Sequence, residues 1–421
     1  MSLITTVLFL ALLFLGFPVG YALILGSFAG VFGAGNVPIT VVLLKLFQPT
    51  QSFPLLAIPF FVLSGALMMS GKLGQQLIGF AAHAVGRFRG GLGQANVLSS
   101  AMFGGVSGSA VADASAVGGV MIPWMRREGY PPALAAAITA SSSVIAVLIP
   151  PSIPLILFAT VSNASIAQLF VAGVLPGLML TGGLMLACYV VARRRGLPFA
   201  ASQGGLRALG KAAVVALPAL LMPAIIIGLL RFGIATPTEV SVIAVAYALL
   251  VRLTLYRDLT VNSLLATIVV TASTTGIVML VIMASSVVGW VLTVENIPGL
   301  LADFAMQTLQ SPVLIILGMN VFLLVIGMFI DLPAAILLVG PLMLGLAEAV
   351  GMDPIQLGVL MVVNLAIGLF TPPVGTTLFI ASAISKQRIG QVVAELWPFY
   401  LIAFTVLALV SYVPATIIRL S

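Results

Sequence analysis

The chain has 421 residues, of which 61% are hydrophobic and only 6% charged, with a mean hydropathy of +1.27. A soluble domain carries about 25% charged residues, so this chain cannot coat itself with a polar surface. It reads as an all-α polytopic membrane protein with room for roughly a dozen apolar segments. The net charge of +7 does not indicate a nucleic-acid partner, because the cations lie in short connections between apolar runs, as positive-inside bias requires. One cysteine (Cys188) and one histidine (His83) leave no disulfide framework, no thiol metal site and little scope for imidazole-based zinc or triad chemistry. Strands of alternating polarity are missing from the sequence, which rules out an outer-membrane barrel.

In chain order the apolar runs cover 4–34, 40–70, 92–122, 132–162, 166–191, 212–230, 235–251, 262–292, 311–341, 354–384 and 391–418. The first is expected to be a retained helix rather than a signal peptide, since no charged leader or cleavage site accompanies it. Segment 73–86 is amphipathic, with Gln75, Gln76 and His83 among apolar residues, and is expected along the membrane interface. The most polar stretch, Arg193 to Lys211, divides the chain. The expected organisation is a first repeat (1–192), a basic cytoplasmic linker with a connecting helix (193–230) and a second repeat (231–421).

The repeat shows in the order of breakers and carboxylates. Asp113, Pro123, Gly129, Pro150-Pro151 and Pro176 are matched by Asp331, Pro341, Gly351, Pro372-Pro373 and Pro398. Asp-to-Pro spacing is ten in both, and from the glycine onward the offset is 222 rather than 218, which implies a four-residue insertion between Pro341 and Gly351. Charge gives the relative orientation. The connection Arg126-Arg127-Glu128 is basic where its counterpart carries only Glu348 and Asp353. Further on, Ser162 to Gln168 is neutral where its counterpart holds Lys386 and Arg388. Equivalent connections of opposite character predict opposite sides of the membrane, and hence two inverted repeats. Runs 92–122 and 311–341 are expected to be re-entrant hairpins, and 132–162 a single crossing broken at Pro150-Pro151 by the missing amide and the clash with the preceding turn. Nine crossings and two hairpins follow, with the N-terminus inside and the C-terminus outside.

Chemistry is expected where small residues, hydroxyls and helix breaks coincide. These places are Gly104 to Ala110 with Asp113, Ser141 to Ser152, Gly327 to Asp331, and Asn364 with Thr371 to Thr377. Unwound backbone survives in a bilayer only inside protein or beside water. Freed carbonyls with nearby hydroxyls suit a hard monovalent cation such as sodium. Half-helix N-termini at Ser152 and Thr376 direct partial positive charge toward an anion. Ser109, Asp113, Ser152, Thr376, Thr377 and Arg126 are the candidate substrate contacts. Such Gly-Ser-Ala stretches also serve simple close packing, and Arg126 with Arg127 also reads as a pair of cytoplasmic anchors. Glu239 reads as a helix N-terminal charge.

The motifs Ser107-Gly108-Ser109-Ala110-Val111-Ala112-Asp113, Ile122 to Tyr130, Ile149-Pro150-Pro151-Ser152 and Thr371-Pro372-Pro373-Val374-Gly375 resemble the large membrane (permease) subunit of tripartite ATP-independent periplasmic (TRAP) transporters, over nearly the whole chain. The resemblance implies an elevator-type fold of the ion transporter superfamily and sodium-coupled import of an organic acid of the C4-dicarboxylate, sialic acid or sugar acid class. It implies a bacterial inner-membrane location and two partners, a small four-helix membrane subunit and a periplasmic substrate-binding protein. No cofactor is implied beyond sodium as the coupling ion, and no transition metal. One sodium site is implied at Ser107, Gly108, Ser109 and Asp113 with Ile149, Pro150 and Ser152. The other is implied at Gly327 and Asp331 with Phe370, Thr371, Pro372 and Gly375. A channel is the competing class, since inverted repeats also build channels. An intramembrane hydrolase built on Ser107 or Ser109 finds no general base beyond Asp113, with His83 in the wrong segment, and no phosphate-binding G-x-x-x-x-G-K-[ST] run is present.

Overall fold

The computed structural model describes residues 1–35, 37–197 and 205–418. Part of the polar divide at 193–211 therefore lies outside the described residues. Among those described, regular structure is entirely helical.

The N-terminal run 4–34 forms two helices, not one crossing: α1 (Ser2–Phe14) and α2 (Val19–Ala34), joined through Gly16 at φ +84° and Pro18. They pack face to face because Gly26 brings its Cα against the Thr5 carbonyl, where a methyl would sit 2.9 Å away. At about 1.5 Å per residue, neither helix alone reaches across the hydrocarbon core. The run 40–70 is likewise divided, into α3 (Ile39–Phe47), two short 3-10 turns (Gln48–Gln51 and Phe53–Leu56) and α4 (Ala57–Met69), with a 57° bend. Pro49 and Pro54 each remove an amide donor in this stretch. The amphipathic segment is α5 (Lys72–Val85), whose apolar face (Leu73, Leu77, Ile78, Ala81) is buried.

Next come α6 (Gly91–Ser107), α7 (Ala110–Arg127), α8 (Pro132–Ser142) extended by a 3-10 turn to Val147, α9 (Ile153–Ser162) and the 30-residue α10 (Ile166–Arg195). Then follow α11 (Leu206–Arg231), α12 (Pro237–Val251), α13 (Val261–Val294), α14 (Ile297–Leu309), α15 (Pro312–Phe329), α16 (Leu332–Ala349), α17 (Pro354–Gly368), α18 (Thr376–Ser385), α19 (Ile389–Glu395) and α20 (Trp397–Tyr412). Between α19 and α20 the axis turns by 62°, so 391–418 is not one straight helix. Six described helices are long and apolar enough to span a bilayer, or eight if each bent pair is one span. The expected nine crossings included α1–α2 as one crossing. The breaks that divide it, a left-handed glycine and a proline, are brief enough to vanish inside a continuous apolar run.

The repeat is visible in element lengths. Helix α7 begins at Ala110 and ends at Arg127; α16 begins at Leu332 and ends at Ala349, so each position in one is displaced by 222 in the other. Both end on the same turn, closed by Gly129 and Gly351 at positive φ. No four-residue insertion exists. By this register Asp331 occupies the place of Ser109, both N-caps, and the counterpart of Asp113 is Ala335. The matched spacing of the two aspartates from their prolines is therefore not a structural equivalence.

Outside the repeats' broken helices, the ends of α4, α5 and α12 are held by a charge cluster around a buried arginine. Arg252, 2% exposed, donates to Asp258 through Nε (3.0 Å) and to Ser70 Oγ (2.7 Å), and Asp258 also accepts the Lys72 amide (2.9 Å). Burial works against this carboxylate, but the Lys72 amide and the Arg252 guanidinium prevail and hold it below its usual range.

Candidate functional site

Each repeat brings a helical turn against a helix break. In the first, α6 ends at Ser107, Gly108 takes φ +59°, and Ser109 caps α7 by accepting the Ala112 amide (3.4 Å). Positive φ is one reason for glycine here. Its neighbour is another: a methyl on Gly108 would collide with the Pro151 carbonyl. Thus the sequence-selected turn Ser107 to Ser109 meets the Pro150-Pro151 break through Gly108, which lies against Pro151. The Ser152 hydroxyl donates to the Val147 carbonyl (2.5 Å) and accepts the Leu155 amide (3.3 Å), so it bridges the break and caps α9. Ile149 lies against Gly177 of α10 and Gly105 of α6.

Asp113 lies in the first turn of α7, is 0% exposed, and among the described residues has no hydrogen-bond donor close to its carboxylate other than the Ser100 hydroxyl. The neighbouring polar group is the Ser100 hydroxyl, itself engaged with Ser142 (3.1 Å). An ionised carboxylate in this position is stable only with a compensating cation or with many donors.

In the second repeat, the Val374 amide donates to the Met328 carbonyl (3.3 Å), which ties the break to the α15–α16 tip. Gly327 meets Gly368 backbone to backbone, so α15 crosses α17 with no side chain between them. Gly375, at φ +53°, turns its Cα toward the carbonyls of Thr371 and Leu369. Leu369 in turn accepts from the Thr377 amide (3.0 Å) and hydroxyl (2.9 Å). Thr371 Oγ1 donates to Ile367 (2.7 Å), and the Phe370 carbonyl accepts from Tyr400 (2.9 Å). The Thr376 hydroxyl is buried and unpartnered at the start of α18. Asp331, unlike Asp113, is exposed, although it is set among surrounding protein, and it makes no side-chain cap bond.

The two breaks are joined. The Thr377 hydroxyl also donates to the Ala140 carbonyl in the helix ahead of the first break (3.1 Å). Helix α18 packs on α7 and α8, while α9 packs on α16 and α17. Each half-helix that follows a break therefore rests on the hairpin arm and broken helix of the other repeat.

Arg126 is not part of this cluster. It is exposed near the C-terminal end of α7, 13 residues past Asp113, which places it about 20 Å along the axis. It lines an open surface recess with Pro123 and Arg127. Glu239 closes a capping box with Thr236, whose amide donates to its carboxylate (2.7 Å), as an N-terminal charge should. Sequence reasoning missed the amide and hydroxyl ties that hold the first hairpin arm of each repeat to the broken helix. Asn364, at the place of Ser142, donates to Asn320 (2.8 Å); Ser142 itself meets Ser100 (3.1 Å), and Asn96 donates to Thr139 (2.6 Å). A polar residue on an otherwise apolar helix face was the available signal.

A many-helix membrane chain with two interlocked helix breaks around buried, unpartnered oxygen atoms belongs among the polytopic transport proteins. The chain is a member of the family described as tripartite ATP-independent periplasmic transporter, DctM component, whose pattern it matches over residues 6–416. It is 36% identical to the 2,3-diketo-L-gulonate TRAP transporter large permease protein YiaN of Escherichia coli, with 96% of this chain and 95% of that one covered. It is 37% identical to the sialic acid TRAP transporter large permease protein SiaM of Vibrio cholerae, again over 96% and 95%. It is 39% identical to the C4-dicarboxylate TRAP transporter large permease protein DctM of Pseudomonas aeruginosa, over 90% and 88%. Its fold is similar to the crystal structure of the YdaH transporter of Alcanivorax borkumensis, with a TM-score of 0.60, 15% identity, and coverage of 91% and 89%. The chain is a multi-pass membrane protein of a transporter permease family, not an enzyme.

Proposed function

We propose that the protein is the large permease subunit of a sodium-coupled importer of an organic acid in the bacterial inner membrane. In this reading a periplasmic binding protein feeds it, and a small four-helix membrane subunit accompanies it. The observation that carries the reading is the interlock of the two breaks through Thr377 and Ala140, with each hairpin tip set on a break. Sodium is assigned to the two tip–break junctions, Ser107, Gly108, Ser109 and Asp113 with Ile149, Pro150 and Ser152, and Gly327 and Asp331 with Phe370, Thr371, Pro372 and Gly375. The buried Asp113 supplies a negative charge that a cation neutralises, and backbone carbonyls supply oxygen ligands suited to a hard ion. The substrate carboxylate is assigned to the half-helix N-termini at Ser152, Thr376 and Thr377. Arg126 is left as a surface anchor.

Two inverted repeats account for the reciprocal packing of α9 and α18. The salt bridge from Arg195 to Glu395 (2.7 Å) supports this sidedness, since it puts the end of α10 level with the basic connection at Lys386 and Arg388. Helices α5–α10 and α14–α20 form the moving body, and α1–α4 with α11–α13 the static frame against which it slides.

Uptake into proteoliposomes holding the large and small subunits tests the reading. Saturable organic-acid uptake that requires both an inward sodium gradient and added binding protein is expected. Flux that persists without either, and rises linearly with solute, identifies a channel and contradicts it.

A further inference from the structure

Where the helices assigned to the frame meet α9 and α16, two cavities of about 380 Å³ each adjoin and share Ser52 and Thr160. Neither contains a residue of the tip–break junctions. The first is lined by Gln48, Ser52, Thr160, Ser285, Ser286 and Thr293 together with apolar side chains; the second adds Asn163 and Ser165. Among the described residues, no lysine, arginine, aspartate or glutamate lines either one. Their size falls in the roughly 300–1,000 Å³ range of small-molecule sites.

The chemistry of the lining is specific. Ser285 is 4% exposed, and its hydroxyl has no hydrogen-bond partner although it borders the cavity. A buried hydroxyl without a partner is destabilising, a cost relieved by a ligand oxygen that accepts from it. A cation stands at the rim, where Lys45 Nζ donates to Gln48 Oε1 (3.1 Å), whereas the Met1 ammonium beyond Thr293 is already paired with Glu295. The nearby carboxylate of Glu239 is turned onto Thr236 in the capping box. One cation and a hydroxyl-lined interior match a solute with one carboxylate and several hydroxyls. A dicarboxylate would bring its second charge among neutral groups with no cation to balance it, which costs free energy. Thr160 and Asn163 lie past the Pro150-Pro151 break, beside the neutral connection Ser162 to Gln168. That end of the helix faces away from Arg126 and, by charge, outward.

We propose that this seam is an outer binding chamber for a polyhydroxylated monocarboxylic acid, with Ser52, Thr160, Ser285 and Ser286 meeting its hydroxyls and Lys45 its carboxylate. The proposal rests on the transport reading and narrows its substrate class to sugar acids.

Cysteine protection tests it. Cys188 is the chain's sole cysteine and is buried, so Ser286→Cys introduces one accessible thiol. The full chain carrying it, in nanodiscs with sodium, is labelled with maleimide alone or with gluconate, glucuronate, N-acetylneuraminate, succinate or glutarate. At least one of the three sugar acids is expected to slow labelling about tenfold, while the dicarboxylates leave it unchanged, and adding Lys45→Gln is expected to abolish the protection. Asn163→Cys, on the exposed lip, gives the same readout should Ser286→Cys fail to fold. Equal protection by succinate, or protection by none of the five, overturns the chamber. Sodium-driven, binding-protein-dependent uptake of a dicarboxylate by the same protein would then leave the carrier reading standing, so the two failures are distinguishable.

Discussion

Asp113→Ala is expected to lower sodium-driven uptake by at least about 100-fold while the protein still reaches the membrane. The carboxylate is sealed from solvent with only the Ser100 hydroxyl beside it, so under the proposed sodium coupling a bound cation balances its charge. Removing it deletes a ligand charge without opening a large cavity, since the side chain is small. Asp331→Ala is expected to cost less, on the order of tenfold, because Asp331 is exposed and its place in the other repeat is held by the neutral Ser109. Initial rates at fixed surface expression, measured against sodium concentration, check both. Asp113→Ala that keeps the native sodium dependence would remove Asp113 from the ion site.

Gly368→Ala is expected to be severely destabilising, by about 3 kcal/mol or more, and Gly327→Ala much milder, although the two glycines face each other. A methyl on Gly368 would lie 2.7 Å or less from three backbone atoms of Gly327, and backbone cannot rotate away. A methyl on Gly327 would lie 3.3 Å from Leu365, a contact that a small shift relieves. Thermal unfolding of the two variants in detergent, followed by size-exclusion chromatography, gives the comparison. Equal losses would mean that the α15–α17 crossing is looser than the structure has it.

Much of this arrangement was legible in the sequence because its causes are local. Proline pairs break helices wherever they stand, glycine at positive φ ends them, and basic connections mark a side of the membrane. Those rules located the Pro150 and Pro372 breaks and the stretches Gly104 to Ala110 and Gly327 to Asp331, within which the hairpin turns fall. The spacing from aspartate to proline misled, because Asp113 and Asp331 both stand near the start of a helix but at different turns of it. Only the helix bounds show that Asp331 matches Ser109. The division of the first apolar run at Gly16 was hidden, since both halves are equally hydrophobic. Contacts such as Thr377 to Ala140 join residues more than 200 positions apart, and no local pattern announces them. The seam cavity is hidden for the same reason: Ser52, Thr160 and Ser285 share no motif.

The account depends on the two repeats lying in opposite senses across the bilayer. Arg126 and Glu348 hold the same place in α7 and α16 and are both exposed, so single cysteines at each report the two sides directly. With a membrane-impermeant maleimide on intact spheroplasts, Glu348→Cys should label from outside and Arg126→Cys only after the membrane is opened. Labelling of both from one side would contradict the inversion, and with it the transport cycle built on it.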